Sequence, residues 1–325
     1  MAQEPKTLQS AIVYFSDPDN CVSYLVDRRW PNGVVCPTCG RKDAAYVPAR
    51  RVWQCKSRHP KSQFSAKVGT VMEESPISLD KWLTAMWMAA NCKNGVSSWE
   101  IHRSLGVTQK TAWFLLHRIR LAMQSTSDFR LGQDGGPVEA DETFIGGKPK
   151  NMHVRKRKLA KNGNFHIDKP AVFGMLDRKT REVRAKVIPS VKRETLQAEI
   201  LDQIVPGSKV YTDGWSGYAG LAEKEFVHET VNHLQEYVRG EVHTQGIENF
   251  WSLLKRGLGG TYISVEPFHL FRYVDEQAFR YNNRATKENP LTDSDRFALA
   301  VTQIVGKRLT YAELTGKELK KPEAN

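Results

Sequence analysis

The sequence predicts an α/β domain preceded by a small metal-binding module and a helix-turn-helix module. Three observations carry that reading. From Val138 onward, strand-like segments alternate with helical ones. Well ahead of them, a Cys-x2-Cys knuckle sits in a stretch rich in Gly, Pro and short β-prone pieces. Between the two, helical periodicity is broken by a Gly-containing turn and then resumes.

The chain has 325 residues, enough for two or three modules and at least one well-buried core. Its 40% hydrophobic and 10% aromatic content excludes wholesale disorder. Lys and Arg total 48 against 36 Asp and Glu, a net charge of +12, which calls for a polyanionic partner. The surplus is concentrated. Residues 41–67 carry +7 and residues 148–169 carry another +7, on a near-neutral body. Five cysteines, three of them within Cys36–Cys55, suit a metal site in a reducing, intracellular setting better than a disulfide framework. Residues 1–9 lack the apolar core of a signal peptide, and the longest nearly apolar run, 82–90, is too short to span a bilayer. No membrane partner is expected.

Each element follows in order. Residues 1–34 read as a helical lead-in and 35–75 as the metal module. Within 76–126, Leu79, Trp82, Leu83, Met86, Trp87 and Ala90 trace one buried helical face. Ser97 with Glu100 forms a capping box for a helix that Gly106 ends, and Thr108 caps a third helix over 109–124. Residues 127–137, with Ser, Asp and Gly, read as a linker. The α/β domain is assigned to 138–290, with strands at 138–145, 171–176, 183–188, 209–212 and 226–231 and helices at 194–204, 245–257 and 267–282. Residues 291–325 are assigned to a C-terminal helical tail.

Cys36 and Cys39 bring two thiolates together on a tight turn, and Cys55 with His59 supplies a second pair. Four S and N ligands are what tetrahedral Zn2+ takes, with no open position, so the metal is structural. The second pair is the less regular, since Cys55-x3-His59 replaces another Cys-x2-Cys. Cys21 and Cys92 have no partner at ligand spacing and read as small buried residues.

In a helix-turn-helix, the first turn of the second helix faces nucleic acid. Here that turn offers Gln109, Lys110 and Thr111, with His117, Arg118 and Arg120 behind them for backbone phosphates and Ala112, Trp113, Leu116 and Ile119 turned inward. A plain three-helix bundle carries the same pattern.

Three acids stand out by position. Asp141 lies mid-strand, Asp213 closes a strand just before Gly214, and Glu248 opens a helix whose face continues through Ser252 to Lys255. Such a trio can converge on divalent cations for phosphoryl transfer, with Lys255 steering a phosphate. Asp213-Gly214 also reads as a simple turn, and Glu139, Glu142, Asp202 and Glu241 are rivals on bare chemistry.

Five motifs occur together in order: Cys-Pro-x-Cys-Gly from Cys36, Gln-Phe-Ser-Ala-Lys-Val-Gly-Thr-Val from Gln63, Glu-Ala-Asp-Glu-Thr-Phe-Ile-Gly-Gly-Lys from Glu139, Tyr-Thr-Asp-Gly-Trp-Ser-Gly-Tyr from Tyr211, and Ile-Glu-Asn-Phe-Trp-Ser-Leu-Leu-Lys-Arg from Ile247. Together they resemble bacterial insertion-sequence transposases that join an N-terminal zinc ribbon to an RNase H-like DDE catalytic domain. The resemblance spans about residues 7–315. It implies that Asp141, Asp213 and Glu248 form the DDE triad, the last two 35 positions apart, with Mg2+ (or Mn2+) as catalytic cofactor and Zn2+ as structural one. It implies that Lys255 is the basic residue seven positions past the Glu. Double-stranded DNA, at transposon ends and target, becomes the expected partner, bound by a homo-oligomer in the nucleoid-associated cytoplasm. The zinc ribbon and helix-turn-helix would bind the terminal repeats, while the basic segment containing Arg155, Lys156, Arg157 and Lys158 would hold DNA beside the site. A catalytically inactive DNA-binding regulator of the same descent is the alternative, and a host RNase H-like nuclease a third reading.

Overall fold

The structure, a computed structural model, describes residues 4–125, 129–146, 169–231, 241–287 and 289–317. It divides into two compact units, one made of residues 1–124 and 283–325, the other of 125–282.

The first unit begins with helices α1 (Leu8–Phe15) and α2 (Pro18–Arg29) and a three-stranded antiparallel sheet, β1 (Ala45–Val47), β2 (Val52–Gln54) and β3 (Gln63–Phe64). Three helices follow: α3 (Leu79–Asn91), α4 (Ser98–Leu105) and α5 (Gln109–Met123). Local chemistry sets their ends. The Ser97 hydroxyl accepts from Glu100 N while the Glu100 carboxylate accepts from Ser97 N at 2.6 Å. Gly106, at φ 60°, takes the left-handed conformation that ends α4, and Thr108 caps α5 by accepting from Thr111 N.

The second unit holds β4 (Val138–Phe144), β5 (Ala171–Asp177), β6 (Val183–Ile188), α6 (Arg193–Gln203), β7 (Lys209–Asp213), β8 (Val227–Val231), α7 (Gln245–Gly257) and α8 (Leu270–Asn282). Its sheet has the order β6-β5-β4-β7-β8; β4, β5 and β6 pair antiparallel, and β7 pairs parallel to both β4 and β8. Each face is covered. Val138, Ala140, Phe173, Met175, Leu196 and Ile200 form one core under α6, and Val172, Leu176, Ile247, Trp251, Leu254 and Val274 form the other under α7 and α8. The period of two along β4 therefore sends Val138 and Ala140 to the α6 side, and Glu139 and Asp141 to the α7 side. This is the α/β, RNase H-like class expected of the catalytic domain, with the zinc ribbon and helical module ahead of it in sequence.

Two boundaries differ from the sequence reading. The segment assigned to a linker is not one throughout. Leu131 is buried in the α6-side core, donates its N–H to Gln203 O and accepts from Val205 N, while Gly132 N donates to the buried Asp177 carboxylate. The assigned C-terminal tail is likewise not a free appendage. Chain order resumes in the first unit with α9 (Asp293–Thr302) and α10 (Tyr311–Leu314). Fully buried Phe297 lies against Phe15, Tyr24 and Trp87 at ring-centroid distances of 5.8, 5.3 and 5.0 Å. The apolar stripe of α9 needs a partner nearly three hundred residues away in sequence, which no local pattern announces. The second unit accordingly closes at Asn282, whose carboxamide accepts from Val183 N and donates to Val183 O, pairing with the outer edge of β6. Among the described residues no helix is long and apolar enough to cross a membrane.

Candidate active site and metal centre

Cys36, Cys39, Cys55 and His59 meet as the sequence spacing implies, with one ligand atom from each lying within 4.8 Å of the others. Cys36 Sγ is 3.5 Å from His59 Nε2, and Cys39 Sγ is 3.5 Å from Cys55 Sγ. Tetrahedral bonds of zinc length give edges of about 3.5–3.8 Å, so the donor set and its spacing fit a structural Zn2+. The knuckle is shaped by Gly40 N donating to Cys36 O and Cys36 N to Arg41 O. Cys55 is placed by its N–H on Ser62 O, which extends the β2–β3 pairing by one residue. The Arg41 backbone N–H, with neighbouring hydrogen bonds, draws the exposed Cys39 thiol down to about 6 and favours the thiolate a metal requires.

The acids of the second unit are arranged differently. The β4–β7 register pairs Val138 with Val210 and Glu139 with Tyr211. The same offset of 72 sets Asp141 opposite Asp213, at the point where ladder pairing has ended. In a parallel pair, matched residues share a face. Asp141 Oδ2 accepts from Trp251 Nε1 at 2.8 Å. That ring reaches across β5 only because Gly174, the residue paired with Asp141, has no side chain; a Cβ there would meet Trp251 at 2.5 Å. Burial pushes the Asp141 carboxyl up to about 7, with the charges of Glu142 and Asp213 adding to it and the indole N–H opposing. Asp213 Oδ1 accepts from Trp215 N at 3.0 Å, which fixes the turn after β7.

Glu248 sits in the first turn of α7, exposed, its carboxylate accepting from Thr244 Oγ1 at 2.8 Å. Ser252 and Lys255 are exposed on the same face, while Ile247, Trp251 and Leu254 are buried, as the helical spacing implied. Among the described residues, only the Cys3His group draws three or more such ligand atoms within 4.8 Å of one another. Asp141 and Asp213 are close enough for each to feel the other's charge, while Glu248 stands exposed on α7, on the helix that covers their sheet face. Carboxylate oxygens are the hard donors a divalent cation such as Mg2+ takes, and Asp141, desolvated and beside a second carboxylate, fits that demand.

Of the rivals, Glu142 points to the opposite sheet face, where Tyr218 OH donates to it and burial raises its carboxyl. Glu139 shares the Asp141 face and is 1% exposed. Its Oε2 accepts from Ile247 N at 2.9 Å, and its Oε1 accepts from Arg178 Nε at 2.6 Å. The sequence reading missed Arg178, Trp251 and Tyr218 as contributors; the parity of Glu139 with Asp141 along one strand was the available signal for Glu139.

The nucleic-acid residues need one correction. Arg118 is buried, donating from Nε to Leu309 O and from a terminal nitrogen to Glu73 O. His117 and Arg120 are buried as well. The segment around Leu309 covers Arg118, and, all three being buried, none is presented to phosphates. Lys110 is exposed, 4.6 Å over the Tyr311 ring, and Thr111 and Gln109 are half-buried, with Gln109 donating to Ser98 Oγ. Arg155, Lys156, Arg157 and Lys158 lie outside the described residues.

Two outcomes are expected. Stripping metal with a strong chelator should release one Zn2+ per chain, measured by a colorimetric zinc assay, and expose the ribbon to proteolysis; retention of the ribbon fold in a verified zinc-free protein would contradict a structural role. In the cation-free protein, the raised Asp141 carboxyl means that the native state binds more protons than the unfolded state between about pH 4 and pH 7. Stability should fall as pH rises across that window. Asp141→Asn should therefore be more stable than the parent at pH 8, by on the order of 1–3 kcal/mol, and melt like the parent at pH 4. An equal melting difference at both pH values would contradict this.

Comparison with known proteins bears on this arrangement. Residues 134–282 match the model of the ISXO2-like transposase domain, and residues 16–57 match that of the transposase zinc-ribbon domain. An uncharacterized protein in transposable element ISH50 of Halobacterium salinarum is 29% identical over 255 residues, covering 75% of this chain and 84% of the relative. An uncharacterized transposase-like protein of Haemophilus influenzae is 33% identical over 106 residues, covering 33% of this chain and 85% of the relative. A chain in the cryo-EM structure of the simian T-cell lymphotropic virus intasome with PP2A regulatory subunit B56 gamma aligns at a TM-score of 0.31 and 14% identity, over 66% of this chain and 74% of that one; so remote a likeness carries no argument. The ribbon and the domain that carries Asp141 and Asp213 are the two parts these matches cover, and the chain belongs to the transposases, with an ISXO2-like transposase domain behind an N-terminal transposase zinc ribbon.

Proposed function

We propose that the chain is a DNA transposase that binds the terminal inverted repeats of an insertion sequence and catalyses metal-dependent strand cleavage and strand transfer. The observation that carries this reading is the in-register placement of Asp141 and Asp213 on neighbouring parallel strands, on the sheet face covered by the helix that bears Glu248. Mg2+ (or Mn2+), when bound, supplies Lewis-acid stabilisation of the charge that develops on the phosphate.

The protein's own groups do the rest. Asp141, Asp213 and Glu248 offer the oxygen donors, and Asp141 is kept in place by the Trp251 indole. Lys255, exposed on the Glu248 face, takes a non-bridging phosphate oxygen of the DNA. Water breaks the phosphodiester at the element's end and releases a 3′-hydroxyl; that hydroxyl attacks a target phosphodiester and displaces its 3′ oxygen. Gln109, Lys110 and Thr111 meet the repeat, assisted by the exposed Lys42, Arg50, Lys56, Arg58 and Lys61 of the ribbon. The segment with Arg155, Lys156, Arg157 and Lys158, which follows β4 in sequence, supplies further positive charge for DNA. The working form is a homo-oligomer on double-stranded DNA, in the cytoplasm at the nucleoid.

With Mg2+ and a duplex carrying the element's end, Asp141→Ala, Asp213→Ala and Glu248→Ala should each lower cleavage by about a thousandfold or more while keeping end binding. Cleavage that survives all three substitutions would refute the assigned site. End binding without cleavage by the unaltered protein would favour the inactive-regulator reading.

A further inference from the structure

At the start of helix α7, Thr244 spends its hydroxyl as a donor to the Glu248 carboxylate, and the Gln245 N–H donates to His243 Nδ1 at 3.4 Å. That leaves the next buried N–H, that of Ile247, to be met from outside the helix. The first N–H groups of a helix need acceptors, and buried ones cannot turn to water. Glu139, from the strand beneath, supplies the acceptor. Its carboxylate takes the Ile247 N–H at 2.9 Å and lies against Gly246, where an added Cβ would meet its two oxygens at 2.8 and 3.1 Å. Arg178, in the turn after β5, holds the other oxygen at 2.6 Å. The same guanidinium donates to Glu241 O at 2.6 Å and His243 O at 2.7 Å, so it also fixes the chain leading into the helix. Its own N–H donates to Pro137 O, just before β4.

Glu139 is two residues before Asp141 on one strand face, and the amide it grips is one residue before Glu248. One side chain therefore ties the strand that carries the first acid to the helix that carries the third. We infer that Glu139 is a positioning residue of the proposed phosphoryl-transfer site: braced by Arg178, it sets the placement of Glu248 relative to Asp141. This rests on the proposed function, to which it adds a residue that touches neither DNA nor metal. Gly246 is part of the device, because only a residue without a side chain lets the carboxylate close onto the helix end.

Two variants test it in the full-length protein. Glu139→Gln keeps an acceptor but loses the charge that Arg178 and the helix N-terminus both hold. Gly246→Ala leaves every acid in place and is favoured by helix propensity, yet pushes the Glu139 carboxylate away. Both should lower turnover at saturating end DNA and Mg2+ by about a hundredfold, the scale of a misplaced catalytic group, with DNA affinity near that of the parent. Gly246→Ala should also melt near the parent, whereas Glu139→Gln, which leaves Arg178 without its charge partner, should melt lower. Without metal or DNA, hydrogen exchange in the peptide covering residues 245–250 should speed up in both. If Glu139→Gln fails to fold, Gly246→Ala decides. Full turnover in a folded variant, or a loss of turnover with no local change in exchange, overturns the inference. Cleavage that is absent in the parent, or undiminished in Asp141→Ala, strikes the proposed function instead; the exchange arm then still reports whether Glu139 sets the helix.

Discussion

The second unit turns on a buried carboxylate. Burying one is costly unless charge partners and hydrogen bonds replace the water it loses, and removing a single partner leaves the cost uncompensated. Glu139 meets that demand with the Arg178 guanidinium and the first turn of α7, and in doing so it dictates where the helix can begin. The consequences follow along the helix. Ile247 enters the core, Trp251 comes to lie over Gly174 with its N–H on Asp141, and Glu248 is left exposed on the helix face beside the buried stripe. Two acids of one strand thus divide the labour. Glu139 is charge-paired inside the protein, and Asp141, two residues on, remains crowded by the charges of Glu142 and Asp213, relieved by the Trp251 indole and the Glu142 backbone N–H.

What the sequence disclosed and what it hid separate along physical lines. The Ser97–Glu100 box, the Gly106 stop, the Thr108 cap and the Cys36–Cys39 knuckle were legible because each is settled within a few residues. Asp141 and Asp213 were legible as candidates by strand position, but their common face rests on a register between strands that are not neighbours in sequence. Glu139 appeared as a rival acid; only its burial against a helix 108 residues away gives it its place. Arg118 was misread for the same reason, because the segment around Leu309 that covers it arrives from the far end of the chain.

Basic charge, too, is better understood by residue than by total. Lys67 donates its ammonium to Ser75 O and Ile77 O, and burial lowers its pKa. Arg29 donates to Ala66 O at 2.7 Å, and Arg118 is committed to two carbonyls. These cations hold the ribbon's surroundings together and add nothing to counterion release on DNA. The exposed Lys42, Arg50, Lys56, Arg58 and Lys61 remain for that task, so the ribbon's working charge is smaller than its composition implies.

Phosphoryl transfer at the Asp141–Asp213 edge, with divalent cations at the scissile phosphate, can be read out by sulfur substitution on the substrate. A non-bridging phosphorothioate at the cleavage position of end DNA should depress cleavage in Mg2+, which binds sulfur poorly, and Mn2+ should restore it for one of the two diastereomers. Equal cleavage of the oxygen and sulfur substrates in both metals would mean that no divalent cation meets the scissile phosphate at this edge.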